Sequence, residues 1–238
     1  MDFDEISCAV PWIEVAYDVG YDLESAQAAT PRLYKSHTSW HDVPKGCRYI
    51  CSFRHPYDAI LSFYRFFEGW FFEPGTIDLE DLTHWRWPRD EVDYQGYWYH
   101  LISWWEQRHN QDVLLLCYED MKADLVGTVR KVAQFMGVEL DDFLLELVVR
   151  QSSREFMLAH KHQFDEHRLH KIGGKRAGLP APNDTSKVTP GPSNQARYRL
   201  PVALKRELDD IWQEQIQTRC GLENYEELRQ ALRGLGPS

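Results

Sequence analysis

Three short segments combine residue types that can act on an anionic group. Lys35-Ser36-His37 sets an ammonium two residues from an imidazole. An imidazole titrates near neutral pH and can take a proton from a hydroxyl. A lysine beside it can offset charge on a group in transfer. Taken alone, the pair reads more simply as a surface loop. Arg54-His55-Pro56-Tyr57-Asp58, with Ser62 beyond it, joins an arginine to a helix start. Unpaired N–H groups and the helix dipole favour an anion there, and a guanidinium adds a fixed fork of donors. The plainer alternative is an arginine at a sheet edge and a serine on a solvated face. Tyr118-Glu119-Asp120-Met121 follows an apolar run. Its tyrosine can flank a base or ribose, while Glu119 and Asp120 read most simply as caps of a helix starting near Lys122.

Each segment needs an element to hold it. Arg32 to Lys35 reads as a short strand ending at Ser36-His37, and Arg48 to Arg54 as a compact apolar strand. Pro56 stands where a first helical turn tolerates proline. Ile60, Tyr64, Phe67 and Phe71 then recur at helical spacing, so residues 56–70 form an amphipathic helix. Residues 73–93 read as an irregular excursion and Tyr94 to His109 as an aromatic helix. Val113 to Tyr118 is continuously apolar, as in a strand buried on both faces. Helices follow over Lys122 to Met136 (ended by Gly137), Asp141 to Gln151 and Arg154 to Phe164, and again over residues 201–219 and 225–233. Residues 173–199, rich in Gly, Pro, Ser and Asn, form a flexible loop or lid that includes Gly173-Gly174-Lys175. Strands alternating with helices predict one α/β domain over 1–238 with a mainly parallel sheet, its candidate residues at the strands' carboxyl ends.

Composition narrows the partners. The 238 residues carry a formal net charge of −10, which argues against nucleic acid and anionic membrane surfaces but leaves room for a small anion held by local Arg and Lys. Cys8, Cys47, Cys51, Cys117 and Cys220 are odd in number and form no CxxC pair, so reduced thiols in a cytoplasmic setting and no metal are expected. His160, His162, His167 and His170 read as a solvated surface rather than a metal site. No apolar stretch reaches the roughly 18 residues of a membrane span, and the acidic start MDFDEISCAV has no secretory character. Trp40, Phe66, Phe71, Phe72, Trp85 and Trp87 offer either an apolar or phenolic acceptor pocket or ordinary core.

The ordered series PRLYKSH, RYICSFRHPYDAILSFYRFF, YWYHLISWWEQR, VLLLCYEDMKAD and KVAQFMGV resembles the cytosolic-type sulfotransferase family, closely over residues 11–165 and loosely over 186–232. The resemblance implies a P-loop NTPase-like fold, a parallel sheet flanked by helices. It also implies sulfuryl transfer from 3′-phosphoadenosine 5′-phosphosulfate (PAPS) to a hydroxyl or amine of a small molecule, without a metal. By the same resemblance His37 is the base and Lys35 stands beside the sulfuryl group. Arg54 and Ser62 hold the 3′-phosphate, Tyr118 and Ser152 lie near the adenine, and Lys187 and Gly191 occupy the late phosphate-clamping loop. That loop lacks the family's arginine, and Arg154 stands where many members have a phenylalanine. The family's PKSGTTW-like loop, with its strand and helix, has no counterpart in the chain. The expectation is therefore an N-terminally truncated fold, marginal or partner-dependent, with a homo-oligomer left open. The alternatives are a catalytically inactive, nucleotide-binding or regulatory protein and, more remotely, a nucleotide kinase.

Overall fold

The computed structural model describes residues 2–86, 96–179, 188 and 200–235. Strand β1 (Tyr49–Phe53) leads through Arg54-His55 into helix α1 (Pro56–Trp70), as the proline position requires. Helix α2 (Leu79–Arg86) occupies part of the stretch expected to be irregular; Glu80 and Asp81 in its first turn suit the positive end of its dipole. Helix α3 (Tyr97–Trp105) is shorter than expected. It gives way to turns closed by Asn110, whose Oδ1 accepts the Asp112 N–H at 3.0 Å. Strand β2 (Val113–Cys117) follows, buried along its whole length.

The expected helix at Lys122–Met136 is two helices, α4 (Tyr118–Ala123) and α5 (Leu125–Met136). Asp124 divides them, its side chain accepting the Gly127 N–H at 2.8 Å as the cap of α5. A Cβ at Gly127 would fall 2.1 Å from Asp124 Oδ2, so a larger residue there would push the capping carboxylate aside. α5 ends at Gly137 in the left-handed region, as expected. Helices α6 (Asp142–Gln151) and α7 (Arg154–Ala159) follow; α7 is short because the backbone tightens into a separate turn at Lys161–Gln163. Residues His170–Gly174 and Lys175–Ala177 are helical, so Gly173-Gly174-Lys175 is not the linker its composition suggested. Helix α8 (Val202–Ile211) widens through Trp212–Gln217 before Thr218–Cys220, and α9 (Tyr225–Gly234) starts at an Asn224 cap. Among the described residues no helix is long and apolar enough to cross a membrane.

β1 and β2 pair in parallel, Tyr49 opposite Val113 and Phe53 opposite Cys117. The third expected strand, Arg32 to Lys35, is reduced to one parallel bridge between Lys35 and Trp12. Lys35 N–H donates to the Pro11 carbonyl at 2.9 Å, and Ile13 N–H donates to the Lys35 carbonyl at 3.0 Å. A ladder needs successive paired residues, and here only one residue is paired.

The chain divides into two compact units, each with its own apolar cluster. The first comprises Met1–His37, Ser62–Asp78 and Arg150–Pro192; Val19, Trp70 and Leu169 form its centre, with Trp12, Tyr21, Phe66, Phe71 and Ile172 around them. Its interior also buries Glu5, Ser7, Gln163, Glu166 and His170, an unusually polar set. The second comprises Thr38–Leu61, Leu79–Val149 and Ser193–Ser238. It holds the two-stranded sheet and a larger core in which Ile60, Trp98, Leu101, Leu208, Ile216 and Leu228 are fully buried.

Candidate functional site

In the first unit Lys35 and His37 are brought together by Trp12. Lys35 Nζ stands 3.8 Å from the Trp12 ring centroid, within cation–π range, and the His37 ring meets Trp12 edge-on at 4.8 Å. Alternation along the extended backbone sends residues 35 and 37 to the same side. The bridge to Trp12 fixes that side. Glu14 holds the tip: its Oε1 accepts the His37 N–H and, at 3.1 Å, the Ser36 hydroxyl.

The lysine is tied deeper as well. Its Nζ lies 2.9 Å from Glu166 Oε1, a carboxylate with 0% exposure. Ser7 Oγ–H donates to the other oxygen of Glu166 at 2.7 Å. A second buried carboxylate, Glu5, accepts the Arg168 N–H at 2.7 Å. Burial raises its pKa above the ordinary glutamate value; the Arg168 hydrogen bond works against this, and the Glu166 charge adds to it.

In the second unit Arg54 sits just past the end of β1, ahead of the first turn of α1. Its guanidinium carbon lies 4.7 Å from the Tyr118 ring centroid. The Tyr118 ring thus serves as a platform for Arg54, a role that its expected approach to an adenine did not include. Arg54 Nε is buried and has no hydrogen-bond partner. A buried donor without a partner is costly, and a bound acceptor relieves it. The Arg54-His55 peptide is fixed from both sides. Tyr97 O–H donates to the Arg54 carbonyl at 2.7 Å, and Glu119 Oε1 accepts the His55 N–H at 3.2 Å. Glu119 Oε2 accepts the Tyr225 hydroxyl at 2.7 Å, while Asp120 pairs with Arg229 and Arg233. Glu119 and Asp120 are thus tertiary ties to α9, not the helix caps expected; the cap of α5 is Asp124.

Of the other expected residues, Ser62 is exposed on α1 and Ser152 is exposed in the turn between α6 and α7, where Ser153 caps α7. Lys187 and Gly191 lie outside the described residues, as does Trp87. The aromatics named for an acceptor pocket are drawn from both units. Trp40 packs on Tyr49 and Trp104 in the second unit, Phe66 and Phe71 pack on Trp70 in the first, Phe72 neighbours Phe67, and Trp85 is 59% exposed. Nor are the four histidines a uniform solvated surface. His160 stacks on Phe156 and His170 is buried. Ligand atoms of His167, Asp165 and Glu5 lie within 4.8 Å of one another. Partial burial lowers the His167 pKa, but bonds to Asp165 and Asp4 outweigh it and leave it above the ordinary value. Sequence reasoning did not single out Trp12, Glu14, Glu166 or Tyr225; Glu166, beside Asp165 and ahead of His167 and Arg168, reads like part of an ordinary charged surface run.

A family model described as a sulfotransferase domain matches residues 2–219. The chain is 34% identical over 152 residues to 3-alpha-hydroxysteroid sulfotransferase of Cavia porcellus, an alignment covering 62% of this chain and 52% of that protein. It is 30% identical over 156 residues to sulfotransferase 2A1 of Homo sapiens, covering 63% and 53%. The chain thus spans about half the length of the curated relatives it matches. Among solved structures, mouse sulfotransferase SULT7A1 complexed with PAP superposes with a TM-score of 0.63 at 21% identity, covering 86% of this chain and 71% of that one. A retinol dehydratase in complex with retinol and PAP gives 0.63 at 17% identity, covering 80% and 55%. These structural likenesses establish the fold.

Proposed function

Because this chain belongs to the sulfotransferase domain family, we propose that it transfers a sulfuryl group from PAPS to a hydroxyl of a small apolar alcohol. The acceptor oxygen attacks the sulfur, the bond from sulfur to the donor's 5′-phosphate oxygen breaks, and adenosine 3′,5′-bisphosphate leaves with the electron pair. His37 takes the acceptor's proton and Lys35 offsets negative charge on the sulfuryl oxygens. Arg54, with Ser62, Lys187 and Gly191, receives the 3′-phosphate; Tyr118 and Ser152 border the adenine. Positioning and charge stabilisation supply most of the rate, as in phosphoryl transfer. A hydroxysteroid is the acceptor class suggested by the names of the relatives.

The observation that carries this reading is the pairing of Lys35 and His37 on one tryptophan, on a backbone held by the Trp12 bridge and by Glu14. An acid–base group and a cation are thereby fixed on one side of one extended segment. The unpartnered Nε of Arg54 supports an oxyanion ligand in the second unit.

The test is transfer of labelled sulfate from PAPS to a panel of hydroxysteroids and simple phenols. His37→Ala should lower transfer at least about 1,000-fold, within the range of a lost general base and its geometry, with nucleotide affinity unchanged. Transfer by His37→Ala at the parent rate would overturn the assignment. Nucleotide binding without transfer to any acceptor would instead favour a binding protein of this fold.

A further inference from the structure

Building on the sulfuryl-transfer reading, we propose that Glu166 is a positioning residue that sets where the Lys35 ammonium stands beside the reacting group. The ion pair joins residues 131 apart in the chain, at 2.9 Å, inside one compact unit.

The geometry is closed at every joint. The Glu166 carboxylate is fully buried, so it cannot relax into water when the pair loosens. The Ser7 hydroxyl holds its second oxygen and stops the carboxylate swinging. Lys35, whose side chain keeps 25% of its exposure, is held at three points. Its backbone is bridged at Pro11 and Ile13, its ammonium rests on the Trp12 ring, and one N–H points to Glu166. A lysine stem is otherwise long and loses much rotamer entropy when it is fixed. His37 meets the same Trp12 ring in a T-shaped contact. The carboxylate therefore also sets the spacing between the cation and the base.

Misplacing a reacting group by about 1 Å can cost on the order of 100-fold in rate. Glu166→Gln removes the charge that holds the ammonium while keeping shape and hydrogen-bonding capacity. The expected result is a kcat lowered about 10- to 100-fold, with KM for PAPS within about twofold of the parent.

A double-mutant cycle separates positioning from a general structural role. Lys35→Met lowers kcat by itself. Adding Glu166→Gln to Lys35→Met should change kcat by less than about twofold, because the group being positioned is already gone. Independent, multiplicative losses would overturn the proposal, as would a Glu166→Gln variant with parental kcat. Should Glu166→Gln fail to fold, Ser7→Ala makes the same comparison. It should lower kcat in the parent and leave it unchanged in Lys35→Met, and equal losses in both backgrounds would refute the idea. Absence of transfer by the parent chain overturns both readings together. Transfer by the parent with no Lys35–Glu166 coupling overturns this one alone.

Discussion

Replacing Arg54 tests the anion site at its most exposed assumption. Its Nε is a buried donor with no partner, and its guanidinium carbon lies 4.7 Å from the Tyr118 ring centroid. A hydrogen bond to a charged group is worth about 1.5–3 kcal/mol. Arg54→Ala should therefore weaken adenosine 3′,5′-bisphosphate about 10- to 150-fold. Arg54→Lys keeps a charge but loses the fork and the Nε–H, and should cost about tenfold. The assay is isothermal titration of the purified chain, run in parallel with adenosine 5′-monophosphate. That control nucleotide lacks the 3′-phosphate, so both variants should bind it within about twofold of the parent. Equal losses against both nucleotides would mean that Arg54 acts through the fold rather than the phosphate. No loss against the bisphosphate would refute the site outright.

Two further outcomes follow from the half-buried His100 and the paired His167. Burial beside Phe53 and Trp104 lowers the His100 pKa to about 4 from an ordinary 6.5. The unfolded chain therefore binds this proton first, and stability is lost as pH falls from about 6.5 towards 4, by at most about 3 kcal/mol. Urea unfolding at a series of pH values should show this slope in the parent and lose it in His100→Gln; an unchanged slope would refute the assignment. His167 has the opposite sign. Its folded pKa lies above 6.5, so its contribution is present below the unfolded pKa and lost as pH rises through the folded one. Hydrogen exchange of the segments at residues 4–9 and 165–169 should quicken, beyond the intrinsic pH effect, as pH rises through the folded pKa of His167. His167→Gln should abolish that excess, and its persistence would show that another group controls the contact.

The sequence by itself determined β1, the proline-started α1 and the fully buried β2, because each rests on a local pattern: a compact apolar segment, a tolerated proline, an unbroken apolar run. It also placed Lys35, His37 and Arg54 in one recognisable motif order. It overreached at Arg32 to Lys35, where apolar character was present but only Lys35 found a strand partner. The aromatic residues were visible, but their sorting into two separate clusters was not. Only the tertiary structure decided that Trp12 carries both Lys35 and His37, that Glu166 holds Lys35 across 131 residues, and that Glu119 reaches Tyr225 across 106. Such ties leave no periodic trace. A buried carboxylate reads in sequence like any surface acid, and only burial makes its partner obligatory.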